Sequence, residues 1–419
     1  MLSPLECLRA RGPWYVREMA VAPSKGSTLP RGIEALAERY DPDVIDVPGG
    51  RALVRLTVRG GDDWDARING RRLRIVPARE ENEPDAVIAA DPMTWLGVAG
   101  DVRGGMQAFQ RGKLRMRGSL HLGVGFLAAT SGATEPGRLT FQRVRTRAGR
   151  VSVLSAGVGP QTVLCIHGLG GTKASFLPTV AALADRYHVV AMDLPGFGES
   201  DKPIGAPYDS AWFAHSAFDT LDGLGIDAAH FAGNSMGGRV AIEAGLIDHA
   251  RVHSLMLLSP ALAWLRDRRW APVVRLLRPE LGLLQVAPRS VTERIVRRLV
   301  PGGNDGWAAA GVDEFLRSYF TPRGRAAFYA AARNIYLDEP HGDDGFWTRL
   351  EGLSSESLFI WGRHDVLVPI AFMKHVERTL PAARHVELEC GHVPQLERPR
   401  ETHAAMLDFL RSATATKSG

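Results

Sequence analysis

The sequence predicts an α/β protein, a mostly parallel sheet covered on both faces and interrupted by a long helical insertion, preceded by a smaller α+β domain. Three observations carry this. From residue 141 onward, short apolar or β-branched runs alternate with helix-periodic segments, the pattern of a doubly covered parallel sheet. Before residue 135 the order is different: one helix, a group of strands, then short helices. Between the two lies Ser131-Gly132-Ala133-Thr134-Glu135-Pro136-Gly137, which breaks both periodicities and reads as a linker. The expected units are residues 1–135 and 136–419.

In the second unit, strands are expected at 141–146 and 151–156 (an opening hairpin), 162–166, 188–192, 230–232, 254–258, 357–361 and 385–388. Helical periodicity fills the gaps, for instance 176–186 and 239–244. The interval from Ala261 to about Pro340 is a long, largely helical insertion. It holds 13 Arg against 8 Asp or Glu, and that excess of five equals the formal net charge of the whole chain. Residues 413–419 read as a frayed tail.

Composition excludes several classes. Apolar residues make up 45% and charged residues 23%, which rules out wholesale disorder. No stretch approaches the roughly 18 apolar residues of a membrane-spanning helix. Met1 to Lys25 lacks the apolar core of a signal peptide. Three cysteines, Cys7, Cys165 and Cys390, make a poor disulfide framework and suit a reducing, cytoplasmic compartment. Without a CxxC there is no case for structural zinc, and no other metal or cofactor is expected. The basic residues form no dense stripe with aromatic platforms, so nucleic acid is not the expected partner.

The chemistry sits in three segments. Gly233-Asn234-Ser235-Met236-Gly237 is a G-x-S-x-G sequence between a strand and a helix-compatible run, the context of a nucleophile elbow. A serine hydroxyl needs a base. His392, in Cys390-Gly391-His392-Val393-Pro394, follows the last strand and is the candidate. Asp365, after the preceding strand, is the candidate acid that would orient the imidazole. All three fall at carboxyl ends of strands, where open α/β sheets place their sites. The amide of Met236 faces the developing charge from the helix N-terminus. His167-Gly168-Leu169-Gly170-Gly171 would supply the second oxyanion donor, the amide of Leu169 or, as the near alternative, Gly170. Asp193 and His167 read as structural residues of their loops. His364 reads as a surface residue, and Cys390 as a small buried hydrophobe.

From about Phe141 to Leu410 the chain resembles the α/β-hydrolase family. His167-Gly168, the run Asp193-Leu194-Pro195-Gly196-Phe197-Gly198-Glu199-Ser200, the Ser235 elbow, the Asp365 segment and Gly391-His392 match family motifs in family order. The resemblance implies an eight-stranded sheet with the insertion after the sixth strand as a lid. A serine nucleophile sets the chain apart from relatives with an aspartate there, such as epoxide hydrolases. Gly-Asn-Ser-Met-Gly-Gly also resembles the elbow of carbon–carbon hydrolases of ring-cleavage products. Their His-Gly-x-Gly-Pro-Gly loop is replaced here by His-Gly-Leu-Gly-Gly-Thr.

In the first unit, a helix at 32–40 precedes strands at 52–58, 65–68, 71–76 and 86–89, with Asn69-Gly70 as a hairpin signal. Helical stretches follow at 92–97 and 106–110, a strand at 113–117 and an apolar helix at 120–129. Ala86-Val87-Ile88-Ala89-Ala90-Asp91-Pro92-Met93-Thr94-Trp95-Leu96, then Ala108-Phe109-Gln110-Arg111-Gly112-Lys113-Leu114-Arg115-Met116-Arg117-Gly118, is similar to the sterol carrier protein 2 lipid-binding domain. That resemblance implies an apolar tunnel, with Trp95, Leu96, Phe109, Met116, Leu120, Leu122, Phe126 and Leu127 as candidate lining. Read without it, the same residues are simply core.

The insertion sets Trp264, Leu265, Trp270, Val273, Val274, Leu276 and Leu277 among Arg266, Arg268, Arg269, Arg275 and Arg278. The ordinary reading is a cap helix with a solvated arginine face. The other is a lid that contacts a membrane surface peripherally. The expected activity is hydrolysis of carboxylic esters, apolar and lipid-like, through an acyl-enzyme. A carbon–carbon hydrolase with the same triad, a perhydrolase side activity, and a lipid carrier with a non-catalytic hydrolase scaffold remain as alternatives. The sequence is silent on oligomeric state.

Overall fold

The structure, a computed structural model, describes residues 29–100, 102–132, 137–263, 271–284, 288–299 and 306–416. Trp264, Leu265, Arg266, Arg268, Arg269 and Trp270 of the expected lid lie outside these.

The N-terminal unit comprises α1 (Arg31–Glu38), β1 (Arg51–Val58), β2 (Asp63–Asn69), β3 (Arg72–Pro77), β4 (Ala86–Ala90), α2 (Pro92–Gly100), α3 (Val102–Gln110), β5 (Leu114–Gly118) and α4 (Leu120–Thr130). Its sheet runs β3-β2-β1-β4-β5. Only β1 and β4 pair in parallel. Strand β1 alternates strictly, its even-numbered side chains buried and its odd-numbered ones exposed at Arg51 and half-buried beyond it. Ser119 caps α4, accepting a hydrogen bond from Leu122 N at 3.2 Å.

The second unit opens with the hairpin β6 (Thr140–Thr146) and β7 (Gly149–Ala156). Then come β8 (Thr162–Ile166), α5 (Leu177–Leu183), β9 (His188–Met192), α6 (Ser210–Gly223), β10 (Ala229–Asn234), α7 (Met236–Ile247) and β11 (Val252–Leu258). Among the described residues six helices follow: α8 (Ala271–Arg275), α9 (Pro279–Gly282), α10 (Arg289–Leu299), α11 (Gly306–Tyr319), α12 (Pro322–Tyr336) and α13 (Phe346–Leu350). The chain ends with β12 (Ser357–Gly362), α14 (Met373–Thr379), β13 (Arg384–Leu388), α15 (Pro394–Glu397) and α16 (Pro399–Thr416). The eight strands order as β13-β12-β11-β10-β8-β9-β7-β6, parallel from β13 to β9. Strands β8 and β10 are buried at every position, as a sheet covered on both faces requires.

Two boundaries differ from expectation. The insertion continues past Pro340, because the chain leaves α12 at Tyr336 and forms one more helix before it returns to the sheet. Phe346 and Leu350 of α13 are buried, and the chain re-enters the sheet only at Ser357. The expected tail is helical to Thr416, because Phe409, Leu410 and Ala413 are buried and hold α16 on the sheet.

The two units share one hydrophobic core. Phe109, Leu114, Met116, Leu120 and Leu127 of the first join Leu139, Phe141, Leu177, Val180 and Leu183 of the second in a single buried cluster. Polar ties fix the seam. Phe141 N donates to Val44 O at 3.0 Å, and Arg143 Nε meets Asp46 Oδ2 at 2.7 Å. His121 sits there with Nε2 on Asp46 O at 2.6 Å. Burial, and then the charge of Lys173, pushes its imidazole down to about 4, so it is neutral near pH 7.

An apolar cavity of about 60 Å³ lies in this seam, lined by Phe109, Met116, Leu120 and Leu127 together with Leu177 and Val180. Ligand pockets run to roughly 300–1,000 Å³, so the space an acyl chain would need is nearly filled. The remaining candidate lining residues fall elsewhere. Trp95 and Phe126 are fully buried core, and Leu122 is also in the core. Leu96 is 44% exposed, because α2 turns it outward.

Candidate active site

Ser235 stands between the last residue of β10 and the first of α7 at φ 53°, ψ −117°. A non-glycine residue rarely adopts a positive φ, and its neighbours make the turn possible. A Cβ on Gly233 would come within 2.3 Å of Gly237 O, and one on Gly237 within 2.0 Å of Ile166 O. Met236 opens α7, so its N–H is among those that an α-helix leaves unpaired at its start.

Asp365 follows β12 and is nearly buried. Its Oδ1 accepts from Leu367 N and Val368 N, both at 2.8 Å, and Oδ2 lies 2.7 Å from His392 Nδ1. A carboxylate fed by two amides cannot rotate away, so it fixes the imidazole with Nδ1 as donor and leaves Nε2 as the acceptor. Glu397 holds the histidine loop, accepting from Gly391 N at 2.6 Å and Val393 N at 2.9 Å. Asn234 then joins that loop to the elbow. Its Nδ2 donates to His392 O and to Leu258 O, each at 3.0 Å.

The Gly168–Gly171 loop lies beside the serine. A Cβ on Gly168 would stand 3.2 Å from Ser235 Cβ. His167 shapes the loop from below. Its Nε2 accepts from Leu194 N at 3.0 Å, so Nδ1 carries the proton and donates to Gly168 O at 2.7 Å. Burial lowers the pKa of this imidazole, which keeps it neutral. Asp193 accepts from Lys173 N at 2.7 Å, from Lys173 Nζ at 2.6 Å and from Glu199 N at 2.9 Å, tying its own loop to the chain after β8. The Cys390 thiol is pushed up to about 12, by burial first and then by Glu397, so it is no nucleophile at neutral pH. His364 is exposed and contacts Glu389.

Residues 161–399 match the family described as alpha/beta hydrolase fold. The chain belongs to that family. Residues 37–129 match the SCP-2 sterol transfer family. The chain is 32% identical over 278 residues to the dihydrolipoyllysine-residue acetyltransferase component of an acetoin cleaving system from Cupriavidus necator, covering 62% of this chain and 66%, just under two thirds, of that protein. It is 28% identical to a 2-hydroxy-6-oxononadienedioate/2-hydroxy-6-oxononatrienedioate hydrolase from Paraburkholderia phymatum, over 62% of this chain and 91% of that one. Among solved structures, a bacterial membrane phospholipase A is similar at 27% identity and TM-score 0.54, covering 66% of this chain and 87% of that one.

Two features of the candidate site have no local sequence signature. Tyr336, the last residue of α12, lies beside Ser235, and burial raises its phenol pKa. Arg239, one turn into α7 and 1% exposed, pairs with Asp338 and, at 3.3 Å, with Glu243. Its guanidinium carbon also lies 4.1 Å from the centre of the Phe346 ring. Arg239 thus pins the end of α12, and with it Tyr336, to the elbow helix. Ser235 itself is only 4% exposed.

Proposed function

We propose that the hydrolase cleaves apolar, lipid-like carboxylic esters through an acyl-enzyme. The observation that carries this is the strained Ser235 turn joined through Asn234 to a His392 loop whose imidazole already donates to Asp365. Ser235 attacks the ester carbonyl, and its proton passes to His392 Nε2. The tetrahedral oxyanion is held by the amides of Met236 and Leu169. His392 then protonates the departing alcohol, and a water deprotonated by His392 hydrolyses the acyl-serine. The likeness to a phospholipase A and the fused SCP-2 unit support an apolar substrate.

The 28% identical dienedioate hydrolase favours a second reading, cleavage of a carbon–carbon bond by the same three residues. The deciding experiment treats purified protein with a fluorophosphonate probe and assays nitrophenyl esters beside a vinylogous diketone. Labelling at Ser235 with ester turnover is expected. Turnover of the diketone alone would transfer the site to the second reading, and folded protein that stays unlabelled would end the enzyme claim.

The lid is also where contact with a lipid surface belongs. Val273, Leu276, Leu281, Leu284, Val291 and Ile295 are each at least 41% exposed, and Arg275, Arg278, Arg289 and Arg294 are exposed around them. Leucines beside arginines favour an interface with anionic headgroups. Co-sedimentation with phosphatidylglycerol vesicles is therefore expected, weakening as salt rises from about 0.05 to 0.5 M and the screening length shortens. Absence of binding, or binding indifferent to salt, would leave these helices as a plain cap.

A further inference from the structure

We propose that Asp313 and Glu314 are positioning residues through which the N-terminal unit holds helix α11, and with it the wall of the Gly168–Gly171 loop. The inference rests on the reading of that loop as the oxyanion loop.

Three successive residues of α11 divide the work. Asp313 faces β5. Arg117 Nε lies 2.5 Å from Asp313 Oδ2 and Arg117 Nη2 lies 3.1 Å from Oδ1, while Gly118 N donates to Oδ2 at 3.3 Å. The second neighbour, Arg297 of α10, meets Oδ1 at 2.5 Å. Glu314 is nearly buried and faces the start of α4, where its Oε2 accepts from Leu120 N at 3.0 Å. An α-helix start presents unpaired N–H groups and a partial positive charge, so a carboxylate is held there without a mobile partner. Arg317 ties the other oxygen, Oε1, at 2.9 Å and also pairs with Glu199 in the Asp193 loop.

Phe315 turns the other way. A Cβ on Gly170 would fall 2.7 Å from Phe315 Cδ2, so the ring lies directly against the loop backbone. Phe328 backs it at a ring distance of 5.4 Å. Successive helix residues point about 100° apart, so two acids anchored to the N-terminal unit fix the third side chain's aim. Movement of the β5–α4 corner is thereby transmitted to the loop that would hold the oxyanion.

The test uses the full chain. Arg117 is half exposed and lies outside the candidate active site, so Arg117→Met removes one anchor with little risk to folding. Arg297→Met removes the lid-internal partner of Asp313 as a control. Glu314→Gln keeps an acceptor for Leu120 N, whereas Glu314→Leu does not. Rates are expressed per serine titrated with the fluorophosphonate probe. The expected result is a loss in kcat of about tenfold for Arg117→Met and for Glu314→Leu at nearly constant KM, because a misplaced loop affects the transition state more than the bound substrate. Glu314→Gln should recover most of it. Amide hydrogen exchange over 306–319 should also quicken in Arg117→Met more than in Arg297→Met. Unchanged kcat per serine together with unchanged exchange overturns the proposal. If the wild type cleaves no ester, the exchange comparison still tests the anchor, so failure of the enzyme reading and failure of the clamp are told apart.

Discussion

Ser235→Ala is expected to lower ester hydrolysis by at least about 10³-fold, as loss of a triad nucleophile does elsewhere. In the proposed mechanism this residue attacks the ester carbonyl, and the turn offers no substitute nucleophile. Cys390, the buried thiol in the neighbouring histidine loop, is protonated near neutral pH. Alanine accepts the same backbone path about as well as serine, so thermal stability should stay close to that of the wild type. Steady-state assays on a nitrophenyl ester, paired with a melting curve, check both halves. A variant that melts normally and still turns over at a tenth of the wild-type rate would show that the nucleophile lies elsewhere. His392→Ala should cost a similar factor, and the double variant little more, because the groups act as one unit.

The second large effect concerns stability. Asp193 and Lys173 are a fully buried pair at 2.6 Å. Asp193→Asn would leave the Lys173 ammonium unpaired in the core, a loss of about 3–5 kcal/mol. For a domain of this size that lowers Tm on the order of 10 °C. Replacing both partners with apolar residues, Lys173→Met with Asp193→Leu, should be milder than the single change. Burial alone would raise the Asp193 pKa, but the charges of Lys173 and His167 and the hydrogen bonds from Lys173 outweigh it and hold the carboxyl at about 2. Since the folded value lies below the unfolded one, this stabilisation is complete above about pH 4 and is lost as pH falls from there through 2. Denaturant titrations of wild type and Asp193→Asn at pH 7 and pH 3 check it. A gap that does not narrow at pH 3 would contradict the assignment.

Much of this architecture could be read before any coordinates. Strand β8 and the Ser235 elbow were legible because each is a local matter: an apolar run, and a turn that tolerates only small neighbours. The contact between Asp365 and His392 was legible from the place of both residues after strands. The seam was not. Arg117 and Asp313 are 196 residues apart, and nothing in either stretch marks the other. Tyr336 ends an ordinary helix, and only the fold of the chain past α12, where Asp338 meets Arg239 of α7, brings it beside the serine. The tunnel lining was half legible: Phe109, Met116 and Leu120 face the seam cavity, whereas Leu96 occupies the same apolar stretch as Trp95 and points to solvent. Periodicity says that a stripe is apolar, not which neighbour covers it.

The continuity of the core across the seam limits how the two units can cooperate. A cargo module on a loose tether picks up its load, swings and delivers. Here Leu177 and Val180 of the second unit sit among the hydrophobic side chains of the first, and such swinging would strip apolar surface bare at about 25 cal/mol for every Å² exposed. Any hand-over of lipid in this molecule would have to run through rotations of packed side chains while the two halves stay together.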